Sequence, residues 1–268
     1  MKPCYQLSFW LVVSWCFVAS GAQALPIEKS YTPGQLVVGW VKPGTKVSLD
    51  NRSVAVSAQG LVAFGFGRDA KGSQLLRLEY AGEENRFPLL ISKRQYKEQH
   101  INGLAKKHVQ PDPAIQQRIR SDAKVIQGVR DQEHLTNALN GEFIWPVKGR
   151  LSGVFGSRRI LNGVPKSPHK GIDIAAPTGT VIVAPIAGRV ALVSQDMFYT
   201  GKTVMLDHGL GVTSVYAHLN HIDVQLGQLV QQGQQIGTVG KTGRATAAHL
   251  HFGVSWRRTA LDPLLFLQ

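Results

Sequence analysis

The chain has 268 residues, 43% of them hydrophobic, with 30 Lys or Arg against 17 Asp or Glu and a formal net charge of +13. That balance favours anionic partners such as nucleic acid, anionic lipid or acidic wall polymers, and by itself selects none of them. Its two cysteines, Cys4 and Cys16, both fall in the first 24 residues, which excludes a disulfide framework for the remainder and leaves its stability to buried apolar area.

Residues 1–24 read as a secretory signal peptide. Lys2 precedes an apolar run from Phe9 to Ala19, and Ala22 and Ala24 form an A-x-A cleavage pattern. Trp15 stands before Cys16 where a lipoprotein signal needs a small residue. No later stretch approaches the roughly 20 apolar residues of a membrane span. An exported chain is expected, which places nucleic acid last among the anionic partners, and its length suits two modest domains.

Residues 26–92 read as a small all-β domain. The runs "QLVVGWV", "SVAVSA", "LVAFGFG" and "LLRLEYA" are separated by turn chemistry such as "KPGT", "LDNR" and "GEEN". Without a histidine cluster or cysteine, this part is expected to bind or regulate. Residues 93–140 change character and carry, in 93–130, nine Lys or Arg against three Asp or Glu. Asp112 and Pro113 form a cap and first helical position, and Ile115, Ile119, Ile126 and Val129 recur at helical spacing. The expectation is a basic helical linker with His100, His108 and His134 solvated.

From Gly141 the pattern is again β-rich, with strands of about five to eight residues joined by Gly-rich turns, and predicts an antiparallel sheet over 141–268. "DHGLG", residues 207–211, reads as a hairpin tip with His208 as a turn residue. Three stretches here carry candidate chemistry. "PHKGIDIAAP" spaces His169 and Asp173 four apart, half of a common catalytic metal shell. "SVYAHLNH" holds His218, open to a buried structural reading, and His221, expected to be solvated. "HLHF" puts His249 and His251 on one face of a strand, where they could share a metal or divide ligand and acid/base roles. Three ligands for a metal plus two further imidazoles would suit peptide-bond hydrolysis.

The ordered set "HKGID", "YAHL" and "HLHFG", with "GQLVQQGQQIGTVG" and the entry "WPVKGRLSGVFGSRR", resembles the lysostaphin-type (LytM-like) zinc metalloendopeptidases over about residues 143–263. The resemblance implies a duplicated-hybrid-motif β-sheet and makes His169, Asp173 and His251 the zinc ligands. It makes His249 and His218 the catalytic pair, His249 favoured as general base and His218 as transition-state stabiliser, with the roles open to exchange. It further implies peptidoglycan as substrate, with D-Ala–meso-diaminopimelate the bond expected in a proteobacterial wall.

Two rivals stand beside this reading. Some relatives activate wall amidases without hydrolysing the wall, and the test is stoichiometric zinc. The Gly-punctuated text of 224–240 also resembles biotinyl and lipoyl carrier hairpins, but lacks the lysine signature at a hairpin tip. Arg158, Arg159, Asn162 and Tyr199 are candidates to line the groove, and Asp262 with Pro263 to end the fold. The N-terminal domain and basic linker are large enough to cover a groove and gate it.

Overall fold

The structure, a computed structural model, describes residues 24–28 and 30–268. The targeting segment expected over 1–24 therefore lies, apart from Ala24, outside the described residues. The fold is mainly β.

Six strands come first: β1 (Leu36–Trp40), β2 (Lys46–Leu49), β3 (Arg52–Val54), β4 (Leu61–Gly65), β5 (Gly72–Tyr80) and β6 (Glu83–Ile91). β1 pairs with β4, and a four-stranded sheet runs in the order β3-β2-β5-β6. The β2–β3 and β5–β6 hairpins turn at Asp50–Asn51 (φ 48° and 64°) and Ala81–Gly82 (φ 52° and 85°). Two consecutive left-handed residues match the twist of the strands they join. β4 is buried along its whole length, packed so closely that a Cβ on Gly65 would lie 2.6 Å from Leu261 Cδ2. One hydrophobic cluster runs from Phe64 and Phe66 through Leu250, Phe252 and Leu261, so the N-terminal strands and the C-terminal sheet share a core.

The 93–140 stretch contains a strand as well as helix: β7 (Glu98–Ile101), α1 (Lys106–Val109) and α2 (Pro113–Arg130). α2 begins as its sequence predicts, with the Asp112 carboxylate accepting from Ile115 N at 2.8 Å and Pro113 at the first position. It lays Ile126 and Val129 against Met205 and Val215 of the C-terminal sheet. After it come β8 (Arg150–Gly153), β9 (Arg158–Leu161) and β10 (Val164–Lys166). β7 runs parallel to β9 and β10 antiparallel to it, forming a separate three-stranded sheet. β7, "EQHI", has no apolar alternation to betray it, because neither of its faces is buried, and its partner lies some 60 residues away.

The remaining strands are β11 (Ile172–Ala175), β12 (Val181–Val183), β13 (Gly188–Met197), β14 (Gly201–Gly209), β15 (Val212–Ile222), β16 (Leu229–Val230), β17 (Gln235–Val239), β18 (His249–Trp256) and β19 (Thr259–Leu261). With β8 they form one antiparallel sheet in the order β16-β13-β14-β15-β18-β11-β8, β17 pairing with β12 and β15, and β19 with β18. Asp262 does not merely end it. Its carboxylate pairs with Arg94 and accepts from Leu264 N at 3.1 Å, while its own N–H donates to the Gly34 carbonyl at 2.8 Å. With Asp262 only 1% exposed, the pair clamps the N-terminal strands onto the sheet. Losing one partner of such a buried pair leaves an uncompensated charge.

His208, expected in a turn, lies inside β14 and is fully buried, while the hairpin tip is Leu210–Gly211. Its Nδ1–H donates to the Ala187 carbonyl at 2.7 Å. Its Nε2 lies 2.8 Å from Ser214 Oγ, itself 2.9 Å from the Tyr216 hydroxyl. Burial pushes this imidazole below its ordinary 6.5. Below that pH the unfolded chain takes up a proton that native His208 refuses, so stability present above it is lost as pH falls, by up to about 1.4 kcal/mol per pH unit. Denaturant melts of metal-stripped protein should accordingly show stability declining from about pH 7 to about pH 5. His208→Gln should make that decline shallower, and an unchanged slope would assign the proton uptake to other groups.

Candidate metal centre

The site is built by strand register. β11 and β18 pair with Asp173 opposite His251 and Ala175 opposite His249, and β15 places Ala217 opposite His251 on the other side. Directly opposed residues share a face, and so do alternate residues of one strand. Asp173, His251 and His249 therefore emerge together, while Ile172, Ile174, Leu250 and Phe252 are buried on the opposite face. His169 arrives from the loop before β11.

Two glycines make room for this. A Cβ on Gly171 would lie 2.3 Å from the Phe252 carbonyl oxygen, so the loop that aims His169 can lie this close to β18 only with glycine. A Cβ on Gly153, opposite Asp173 on β8, would lie 2.5 Å from Asp173 Oδ2.

The atoms of the three expected ligands converge. His169 Nε2 is 3.0 Å from Asp173 Oδ1 and 3.0 Å from His251 Nδ1, which is 2.8 Å from the same Oδ1. A tetrahedral ion with bonds near 2.0–2.1 Å separates its ligand atoms by about 3.3 Å, so the cluster needs to open by only a few tenths of an ångström. The remaining ring nitrogen of His169 is tied down: Nδ1–H donates to the Val154 carbonyl at 3.1 Å. That leaves the Nε2 lone pair facing the cluster. This set could hold a metal ion.

His249 stands beside it, Nε2 3.9 Å from Asp173 Oδ1 and Nδ1–H donated to the Ala247 carbonyl at 2.8 Å. His218 reaches the same side by a different device. Ala217 already faces His251, so His218 on a regular strand would point the other way, with Tyr216 into the core. Instead β14 and β15 slip register between Lys202 and Val204, and His218 takes a left-handed backbone at φ 65°. Its N–H donates to the Thr200 carbonyl and its Nδ1–H to the Thr242 carbonyl, both at 2.8 Å. The ring comes to 4.7 Å from that of His249 and 6.2 Å from that of His251, centroid to centroid. A bulge thus redirects a side chain into a site at the cost of local strain.

Burial sets the charges. It pushes His169 down to about 4 against the pull of the Asp173 carboxylate. It also pushes His218 down to about 3, helped by the neighbouring His249 and His251 rings. Burial would raise the Asp173 carboxyl, but its contacts with the His169 and His251 rings outweigh it and hold Asp173 well below the ordinary carboxylate range. At neutral pH the cluster offers an anionic Asp173 oxygen and a neutral His169 nitrogen, the protonation states a cation requires.

The remaining candidates scatter. Arg159 joins the site, its Nη2 donating to Asp173 Oδ2 at 2.5 Å, whereas its neighbour Arg158 is exposed. Asn162 brackets Leu104 with two hydrogen bonds. Tyr199 is covered by the Arg244 guanidinium at 4.1 Å, on the flank of the site beside Thr200. His100 and His221 pair with the nearby carboxylates of Glu98 and Asp223. His108 and His134 are not simply solvated: the first packs edge-on against Phe198 and the second pairs with buried Asp207. Thr200, Thr242 and Val154 went unrecognised in the sequence because they act through backbone carbonyls, which no residue type advertises.

The profile of peptidase family M23 matches residues 167–263. A solved structure from Pseudomonas aeruginosa, described as an M23 peptidase, has a TM-score of 0.67 at 31% identity, over 88% of this chain and 94% of that one. The peptidoglycan DD-endopeptidase ShyA of Vibrio cholerae is 41% identical over 107 residues, 39% of this chain and 24% of its own length. The murein hydrolase activator NlpD of Escherichia coli is 32% identical over 123 residues, 46% of this chain and 30% of its own. The chain thus spans less than a third of the length of either curated relative.

The left-handed backbone at His218 has a measurable consequence. His218→Gly and His218→Ala both lose the ring, but only glycine relaxes the positive φ. The glycine variant should be the more stable of the two by about 1 kcal/mol in denaturant unfolding. Equal stabilities would mean that the bulge relaxes once the ring is gone.

Proposed function

We propose that this chain, which belongs to peptidase family M23, is a zinc endopeptidase that hydrolyses peptide cross-links of peptidoglycan. The observation that carries the reading is the convergence of three ligand atoms within 3.0 Å of one another, with two further imidazoles alongside. His169, Asp173 and His251 would hold the ion, which supplies Lewis-acid activation of water and of the scissile carbonyl. Two imidazoles and a carboxylate with room for a further ligand suit zinc.

The chain's own residues do the rest. His249 has its Nδ1–H fixed on the Ala247 carbonyl, so its Nε2 is the acceptor, and we assign it the role of general base. His218, its Nδ1–H fixed in the same way on Thr242, also presents Nε2 as an acceptor. Once that nitrogen has taken up a proton, it is placed to stabilise charge on the carbonyl oxygen or to pass the proton to the leaving amine. Their contact allows the two roles to exchange. We assign D-Ala–meso-diaminopimelate as the bond cleaved and the cell envelope as the location. The basic chain suits an anionic wall, and no helix among the described residues is long and apolar enough to cross a membrane. The match to a murein hydrolase activator keeps an activating role as the alternative; the presence of all five site residues favours hydrolysis.

The deciding experiment pairs zinc content with muropeptide release from purified sacculi, for wild type and His249→Ala. Both proteins should carry one zinc, and release should fall by about 10²–10⁴-fold in the variant. Zinc-free wild type that stimulates an amidase would favour the alternative. Product masses identify the bond.

We further assign the 102–109 segment a gating role. It leaves β7 on one flank of the site, is bracketed by Asn162 at Leu104, and reaches the other flank. There Arg244 donates to the His108 carbonyl at 3.3 Å and Phe198 meets the His108 ring. Asn162→Ala frees Leu104 and should raise muropeptide release several-fold; an unchanged rate would sink the idea.

A further inference from the structure

Among the described residues, Arg159 is the one Lys or Arg paired with the carboxylate of the ligand cluster, and a segment preceding the peptidase-like sheet holds it there. Its guanidinium donates to Asp173 Oδ2 at 2.5 Å, while Oδ1 of the same carboxylate is the atom shared with His169 and His251. The two oxygens therefore have separate tasks. With Oδ2 engaged, the carboxylate can meet an ion through Oδ1 alone, which keeps the further coordination position open. An ordered second partner also fixes the orientation of the first.

The backbone around Arg159 is not self-supporting. β9 is a four-residue strand paired with short β10 on one side and with β7 on the other, Gln99 lying opposite Arg159. Arg158 N donates to the Lys97 carbonyl at 2.9 Å. Just upstream, Tyr96 lies so close beneath Gly156 that a Cβ there would fall 2.2 Å from the ring. The Tyr96 hydroxyl donates to the Arg68 carbonyl at 2.9 Å. Arg68 stacks on the same ring at 4.2 Å and donates to the Gly156 carbonyl at 2.7 Å. Residues 94–101 thus form a buttress behind 155–161.

We infer that Arg159 is a positioning residue for the metal ligand Asp173, and that the Tyr96–Ile101 buttress, supplied from outside the peptidase-like sheet, sets the alignment of that arginine. The inference rests on the zinc reading above. It makes the N-terminal part a structural component of the metal centre, in addition to any cover it provides.

The test measures zinc affinity by competition with a chromophoric chelator, using full-length wild type, Arg159→Gln, Arg159→Lys, Arg158→Gln and Tyr96→Ala, with thermal unfolding of each as the folding control. Arg159→Gln should weaken zinc by about 10-fold or more. Arg159→Lys should recover part of that loss, since an ammonium can reach Oδ2 but without the planar fork. Arg158→Gln, exposed on the same strand, should match wild type. Tyr96→Ala, which touches no ligand, should weaken zinc in the same direction. Turnover should fall in kcat with little change in KM, because Arg159 touches the ligand and not the substrate. Wild-type affinity in Arg159→Gln, with wild type itself zinc-loaded, would overturn the role of Arg159. Weak zinc in Arg159→Gln with unaffected Tyr96→Ala would overturn the buttress. No zinc in wild type would instead overturn the functional reading on which both depend.

Discussion

The register between β11 and β18 is the constraint on which the site depends. Asp173 faces His251 across one antiparallel pair, although the two are 78 residues apart in the chain. A slip of one residue would turn every side chain of one strand to the opposite face and take a ligand out of the cluster. What prevents the slip is the other side of the same strands. Ile172, Ile174, Leu250 and Phe252 are each fully buried, and a slip would expose two of them while driving charge into the core. The ligand geometry is thus specified by hydrophobic burial a few ångströms behind it.

That coupling explains what could be read from the sequence. Alternation in "HLHF" made His249 and His251 legible as sharing a face, and spacing paired His169 with Asp173, but only the family resemblance joined the two stretches. The cap of α2 was legible from Asp112 and Pro113. His218 was not legible by the same logic. Counting along β15 puts it with Tyr216, which lies against Phe252 in the core at 5.4 Å between ring centroids. Only the slipped β14–β15 pairing and the positive φ turn it outward, and no residue in "VYAHLN" marks either. Family resemblance supplied the assignment where periodicity would have misplaced the ring.

The other misreadings share a cause. β7 leaves no periodic trace in the sequence because none of its four residues is buried, so nothing local marks a strand that is completed by β9 far along the chain. "DHGLG" between two strand-like runs does contain the hairpin tip, but β14 runs through Gly209 and carries His208 into the core. The turn falls one step later, and Ala187 and Ser214, distant in sequence or across the hairpin, provide the polar partners that let an imidazole be buried. Local composition identifies elements well when the element satisfies itself. It fails where a strand, a bulge or a buried polar group is completed by residues elsewhere.

Charge at the centre follows the same principle of completion at a distance. Burying a carboxylate is costly unless it is paired and hydrogen-bonded. Asp173, 8% exposed, meets that requirement on both oxygens, with imidazoles on one and a guanidinium on the other. The Asp173 carboxylate carries the negative charge of the cluster, and Arg159 offsets part of it without occupying the oxygen that faces His169 and His251. A lysine in its place would keep that charge but lose the planar fork, whereas a second carboxylate would add to the negative charge. The arginine's planar fork, held by a strand that is itself held by another, satisfies the outer oxygen and leaves the inner one directed at the cluster. Fold integrity and the geometry of the His169–Asp173–His251 cluster are therefore the same problem here. The stretch from Arg94, clamped on Asp262, to Ile101, paired with Leu161, takes part in both.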